Sequence, residues 1–267
     1  MRAEKAPGAG DRIAKLLARA GAGSRRDIER MISEGRVALE GKVLDTPATI
    51  LTSLAAVTVD GKPVGEAEST RLFLFHKPSG VLTAARDPAG RPTIYDILPP
   101  GLPRLVPVGR LDLNTEGLLL LTNDGELKRS LELPSSGVPR TYRIRAYGEV
   151  RQSDLDQLAL GVTIEGMRYG PIDASVERRV AGGSRNIWMQ MTLSEGKNRE
   201  VRRVCEAMGL QVSRLIRVGY GPFLLGDIPV REVAEAPASA IAQLRRAIKP
   251  AKPIPARPAA EKPGTGE

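Results

Sequence analysis

Asp112 is the carboxylate whose surroundings say most about chemistry. It sits in Gly109-Arg110-Leu111-Asp112-Leu113-Asn114-Thr115-Glu116-Gly117, which runs on into Leu118-Leu119-Leu120-Leu121. A loop with one acid between two leucines, followed by a buried strand, predicts a partly desolvated carboxyl that needs a nearby cation to stay ionised. Asp124, in Asn123-Asp124-Gly125, reads instead as turn chemistry. Other reactive types are scarce, with one histidine, His76, and one cysteine, Cys205. That leaves no Cys/His zinc cluster, and a nucleophilic triad would have to recruit His76, which reads as a strand end meeting the turn at Lys77-Pro78. Neither GxxxxGK[ST] nor GxGxxG after a strand is present, so nucleotide hydrolysis and dinucleotide redox have no support. Carboxylates, tyrosines and basic side chains remain, and no metal or cofactor is expected.

The chain around these residues has 267 residues, 41% hydrophobic, enough for a core and for two domains. Forty Lys and Arg against thirty-one Asp and Glu give a net charge of +9, which favours a polyanionic partner such as nucleic acid. The longest apolar run, Leu118 to Leu121, is far too short to span a bilayer, so no membrane partner is expected. The start lacks the apolar core of a secretory signal and the lone cysteine suits a reducing compartment, so a cytoplasmic location is expected.

Residues 1–9 read as a disordered lead-in. Asp11 is expected to cap a helix carrying Ile13, Leu16, Leu17 and Ala20, with Gly21 as its stop. Ser24, with Asp27 three residues on, caps a second helix whose apolar face is Ile28, Met31 and Ile32. Arg12, Lys15 and Arg19 form a basic stripe on the first helix, and Arg25, Arg26 and Arg30 add cations on the second; such faces bind phosphate or are simply solvated. Short strands with Glu40-Gly41 and Asp60-Gly61 turns follow. From Arg71, strand-like runs at 72–75, 106–108, 118–122, 142–147 and 187–193 alternate with helices near 125–133, 153–160 and 199–208. This mixture predicts an α+β fold on a largely antiparallel mixed sheet flanked by helices. Residues 236–267 read as a basic Ala/Pro-rich tail, largely disordered, although 238–248 have a helical pattern.

Gly23-Ser24-Arg25-Arg26 and Gly35-Arg36-Val37 make residues 10–70 resemble an S4 RNA-binding domain. Residues 71–235 resemble the catalytic domain of the RsuA/RluB branch of pseudouridine synthases. That likeness rests on Lys77-Pro78-Ser79-Gly80, on Asp87-Pro88-Ala89-Gly90-Arg91-Pro92-Thr93, on the long segment from Gly109 to Leu127, and on Glu195-Gly196-Lys197-Asn198-Arg199-Glu200-Val201-Arg202-Arg203 leading into Val212 to Arg217. The matches fall in register after an S4-like block, which is that family's domain order.

The resemblance implies roles that the residues alone do not give. Asp112 becomes the catalytic carboxylate, which attacks the ribose or abstracts a sugar proton. Arg202, otherwise a surface helix arginine, becomes the cation that pairs with it. Tyr142 becomes the residue that stacks on the target base and helps remove its C5 proton. Leu215, equally well a core leucine, packs on the uracil; Lys77 joins the substrate-binding set; Arg110 fills the space left by the extruded nucleotide. The implied partner is ribosomal RNA, held by the S4 cations. Glu195–Arg203 and Val212–Val218 look most like the branch members acting on the large subunit, so 23S rRNA or a large-subunit precursor particle is expected, bound by a monomer. The alternatives are 16S rRNA as the target, or a noncatalytic S4 ribosome-assembly protein. An S4-bearing aminoacyl-tRNA synthetase is disfavoured for want of a His-rich nucleotide signature.

Overall fold

The computed structural model describes residues 10–66, 68–179 and 185–248. The expected lead-in and the chain after residue 248 lie outside the described residues. None of the described helices is long and apolar enough to cross a membrane.

The first unit contains β1 (Asp11–Arg12), α1 (Ile13–Arg19), α2 (Arg25–Ser33), β2 (Val37–Leu39), β3 (Lys42–Val43), β4 (Ile50–Leu51), β5 (Val57–Val59) and β6 (Lys62–Pro63). The Ser24 hydroxyl accepts from the Asp27 N–H and the Asp27 carboxylate accepts from the Ser24 N–H, each at 3.0 Å, so the expected capping box forms. Asp11 does not cap α1. It lies in β1, paired with β4, and its carboxylate reaches Lys15 at 2.8 Å, leaving Arg12 as an N-cap without a side-chain bond. Glu40-Gly41 and Asp60-Gly61 all have positive φ, the backbone of two-residue hairpin turns, and they close β2–β3 and β5–β6. The strands align as β3-β2-β5-β6 beneath a core of Ile13, Leu17, Ile28, Ile32, Val37 and Val57.

The second unit contains β7 (Leu72–Lys77), β8 (Val106–Pro107), β9 (Glu116–Thr122), α3 (Gly125–Glu132), β10 (Arg140–Tyr147), α4 (Gln152–Asp156), β11 (Val162–Ile164), β12 (Met167–Tyr169), β13 (Ile172–Arg179), β14 (Asn186–Leu193), α5 (Glu200–Ala207), β15 (Gln211–Tyr220), β16 (Phe223–Leu224), β17 (Val233–Glu235) and α6 (Ala238–Ala247). A nine-stranded sheet runs β13-β14-β10-β15-β9-β7-β17, with β16 on β15 and β8 on β9. Its pairs are antiparallel except β15 with β9. That parallel seam joins two antiparallel halves.

At the seam Gly117 has φ +102° and lies opposite Arg217; a Cβ on Gly117 would collide with the Arg217 carbonyl oxygen. Glycine is therefore required by backbone approach as well as by conformation. Arg214 clamps Glu116 beside it with two bonds of 2.9 Å. Tyr142, Val201, Val204 and Leu215 pack in a core on one half of the sheet, and Leu118, Leu120, Leu127, Ile241 and Leu244 in another.

Three expectations change here. The patterned 238–248 stretch is α6, whose Ile241 and Leu244 are buried with the strand leucines, so the second unit continues past residue 235. Asp124 is the N-cap of α3, accepting from the Glu126 and Leu127 N–H groups. Burial opposes its charge, but these bonds and the Thr70 hydroxyl at 2.7 Å hold its pKa below the usual carboxylate value. Arg245 reaches both Asp124 (3.0 Å) and Thr70 (2.8 Å), tying the inter-unit segment to α3 and α6. The helix expected over 153–160 is one short α turn, α4, continued as a 3-10 turn to Leu160.

Candidate active site

The seam opens into a cleft of about 710 Å³ lined by the loop before β9, by β10 and β15, and by the start of α5. Asp112, Arg110, Tyr142, Arg202 and Leu215 all line it. They come from four segments that are far apart in sequence, and β-pairing brings them together.

The loop carrying Asp112 is fastened through its backbone. Glu132 on α3 accepts the Gly109 N–H at 2.7 Å, and Thr83 both donates to the Leu111 carbonyl (2.9 Å) and accepts the Leu111 N–H (3.2 Å). Gly80 donates to the Leu113 carbonyl at 2.8 Å, and the Thr115 N–H to that of Asp112 at 3.0 Å. From below, the Lys77 ammonium donates to the carbonyls of Pro78 (2.9 Å), Asp112 (3.2 Å) and Thr115 (2.9 Å). A loop so held presents its side chain without reorganisation.

Two expectations about this loop are corrected. The Asp112 side chain is exposed to the cleft; Leu111 takes the burial, at 5% exposure in a core with Phe75 and Leu119. Lys77 cannot touch a substrate: it is 0% exposed and committed to three carbonyls. Burial lowers its pKa from 10.5 to about 8, although Asp112 and Glu116 favour its charge. It therefore positions the loop.

Arg202 faces Asp112 across the cleft and feels its charge. Its guanidinium, however, donates to the Asn114 carbonyl at 2.9 Å, and no ion pair with Asp112 forms within contact distance among the described residues. Burial and then Arg199 push the Arg202 pKa down, while Asp112 pulls it up. The pairing read from the motif is thus a long-range one here, with the arginine anchored two residues beyond the acid. Tyr142 is half-buried on β10 and packs against the core of Val201 and Leu215 and that of Phe75, Leu111 and Leu119; Leu215 is buried on β15; Arg110 is exposed on the loop.

The floor contains charged residues to which the sequence assigned no part. Arg140, 6% exposed, donates to the carbonyls of Val138, Leu131, Ser194 and Glu195 and to the Tyr220 hydroxyl, bracing the turn after β14. Glu200 is 3% exposed; one oxygen accepts the Lys197 N–H at 3.0 Å, the other has no partner among the described residues, and burial raises its pKa. Arg217, 2% exposed, donates its Nε–H to the Leu118 carbonyl at 2.7 Å, while its Nη2 has no partner among the described residues. The signal that could have found Arg217 was a charged residue inside an otherwise apolar strand pattern, Leu215-Ile216-Arg217-Val218.

On the S4-like unit, Arg12, Arg25, Arg26 and Arg30 are exposed. Arg30 lies 3.6 Å from Asp27 and 3.7 Å from Glu34. Lys15 is different: it bridges Asp11 on its own unit and Glu126 on α3, which raises its pKa despite burial. Arg19 donates to the Glu68 carbonyl at 3.4 Å. Of the three cations expected on the RNA face of α1, Lys15 and Arg19 are thus engaged at the junction between units, where Lys15 serves as a pin, and Arg12 stays exposed at the end of β1.

A sheet of two antiparallel halves thus carries a fastened acid at their seam, alongside a helix pair on a small sheet. The chain belongs to the RNA pseudouridylate synthase family: that family's model matches residues 71–207, and the S4 domain model matches residues 11–53. It is 45% identical over 218 residues to ribosomal large subunit pseudouridine synthase B of Yersinia pestis, covering 79% of this chain and 68% of that protein. It is 44% identical over 227 residues to the protein of the same name from Salmonella typhi (82% and 75%). An RNA pseudouridine synthase of Rickettsia bellii is 42% identical over 227 residues (84% and 96%). A solved pseudouridylate synthase shares the fold with a TM-score of 0.59 at 24% identity, over 87% of this chain and 99% of that one.

Proposed function

We propose that this pseudouridine synthase isomerises one uridine of the large-subunit (23S) rRNA in the cytoplasm, acting as a single chain with Asp112 as the catalytic carboxylate. The observation that carries this is the convergence of Asp112, Arg202, Tyr142 and Leu215 on one cleft from separate elements. The names of the relatives at 44–45% identity support the large subunit as the address.

A uridine inside a helix hides its glycosidic carbon, so the nucleotide must be extruded into the cleft. Arg110, exposed on the loop, takes the place it leaves in the stack. Tyr142 and Leu215 sandwich the base, and Asp112 addresses the sugar by attack or by proton abstraction. The C1′–N1 bond breaks, the uracil turns, and a C1′–C5 bond forms; C5 gives up its proton and N1 gains one. Atoms and electrons balance without a redox or group-carrying cofactor. Arg12, Arg25, Arg26 and Arg30 hold the RNA backbone during the turnover.

The test maps pseudouridine in both rRNAs from a strain lacking the protein. One large-subunit site should lose its pseudouridine and regain it with the parent gene but not with Asp112→Asn. Loss confined to 16S rRNA, or full rescue by the variant, would reject the proposal.

A further inference from the structure

Arg217 stands directly opposite Tyr142 in the β10–β15 pairing and two residues from Leu215 on the same strand. Residues opposite one another in antiparallel strands, and residues two apart on one strand, share a face. Arg217 therefore shares a face with the two residues that would hold the base, and it lines the same cleft. Its Nε is used by the Leu118 carbonyl, which fixes the plane of the guanidinium, and its Nη2 is left without a partner although the residue is 2% exposed. The Tyr220 ring lies 5.2 Å away on one side, while Lys77 nearby adds positive charge. Leaving such a donor unsatisfied in a buried site is costly unless a ligand completes it.

Building on the proposed function, the geometry points to Arg217 as a further catalytic residue whose free N–H holds a carbonyl oxygen of the extruded uracil and carries the negative charge that reaches it when the base is detached. When the C1′–N1 bond breaks, the electron pair leaves with the base and spreads from N1 onto the uracil oxygens. A fixed guanidinium in a water-poor floor stabilises that charge without reorganising, and does little for the neutral nucleotide that enters. The proton lost later from C5 and the one gained at N1 balance the charge, so Arg217 need never give up its own.

The experiment is single-turnover isomerisation of transcribed, unmodified 23S rRNA at saturating enzyme, beside RNA binding, for the parent, Arg217→Gln and Arg217→Lys. Arg217→Gln should bind RNA within about twofold of the parent, because affinity rests on phosphate contacts. Its rate should fall on the order of 10²-fold, with Arg217→Lys between the two. A second substrate, with 5-fluorouridine in place of uridine, makes the departing base a weaker base that needs less help. The gap between parent and Arg217→Gln, read as loss of 5-fluorouridine from nuclease digests, should narrow at least several-fold. A role confined to bracing β15 would leave that gap unchanged, which overturns the inference, as would Arg217→Gln turning over at the parental rate. If the parent itself forms no pseudouridine, the proposed function fails; if the parent is active and the variant matches it, only this inference fails. Should Arg217→Gln not fold, Arg217→Lys on the two substrates gives the same decision.

Discussion

Cations do opposite work at the two ends of this molecule. Beneath the cleft, Lys77, Arg140 and Arg217 are buried and aimed at backbone carbonyls, so their positions are dictated by the protein itself. On α2, Arg25, Arg26 and Arg30 stay in solvent, with Arg30 beside the Asp27 and Glu34 carboxylates of its own helix. The first set is held by short bonds within the protein; under the proposed function, the second gathers RNA through a field that salt weakens. Composition, which counts all of them alike, records only a surplus of nine positive charges.

The largest separation of the two regions should come from Asp112→Asn. Isomerisation by the purified protein should drop on the order of 10³-fold or more, as when the central group of a covalent or acid–base site is removed. RNA affinity and its salt dependence should stay parental; a matching loss of binding would show that the cleft also gathers RNA. Next comes the seam that holds the floor together. Gly117→Ala forces a Cβ into the Arg217 carbonyl at a left-handed φ, and should cost about 2–4 kcal/mol in denaturant unfolding. A loss below about 1 kcal/mol would mean that the strands part easily there.

A pH comparison probes the buried set more gently. Burial lowers the Lys77 pKa from its ordinary 10.5 to about 8 in the folded chain, so between those values the unfolded chain holds more protons. Stability from this residue therefore rises as pH climbs through that window. The unfolding free energy of the parent, less that of Lys77→Met, should grow by about 2 kcal/mol between roughly pH 7.5 and 10. A flat difference would mean that Lys77 is not strained by its burial. The smallest effect belongs to the outer set: Arg26→Gln with Arg30→Gln should weaken RNA capture and lower the salt slope by about 1–2, with turnover of bound RNA unchanged. An unaltered slope would show that this face is merely solvated.

The sequence disclosed the acid and its neighbours because they lie in one unbroken stretch, and it disclosed the helix pair because Ser24 and Asp27 are local signals. It failed where function depends on distant pairing. Leu215-Ile216-Arg217 reads as the close of a motif, and only the Tyr142–Arg217 register shows which face the guanidinium shares. Lys77 was placed against substrate by the resemblance of its motif, yet strand β7 aims it under the loop. Asp112 was expected to be half-buried because both neighbours are leucines; the loop turns Leu111 into the core, leaves Leu113 half-exposed at the cleft and faces the acid outward. Tertiary carbonyls, invisible in any local pattern, decided each case.

The pairing of β7 with β17 has one more result. The first strand of the catalytic sheet finds its outer partner only when residues 233–235 exist. At the pace of translation, the intervening ~150 residues take roughly 8–30 s. For that interval the edge of Leu74 and Phe75 stays open on the nascent chain, and the sheet cannot close there until residues 233–235 have been made.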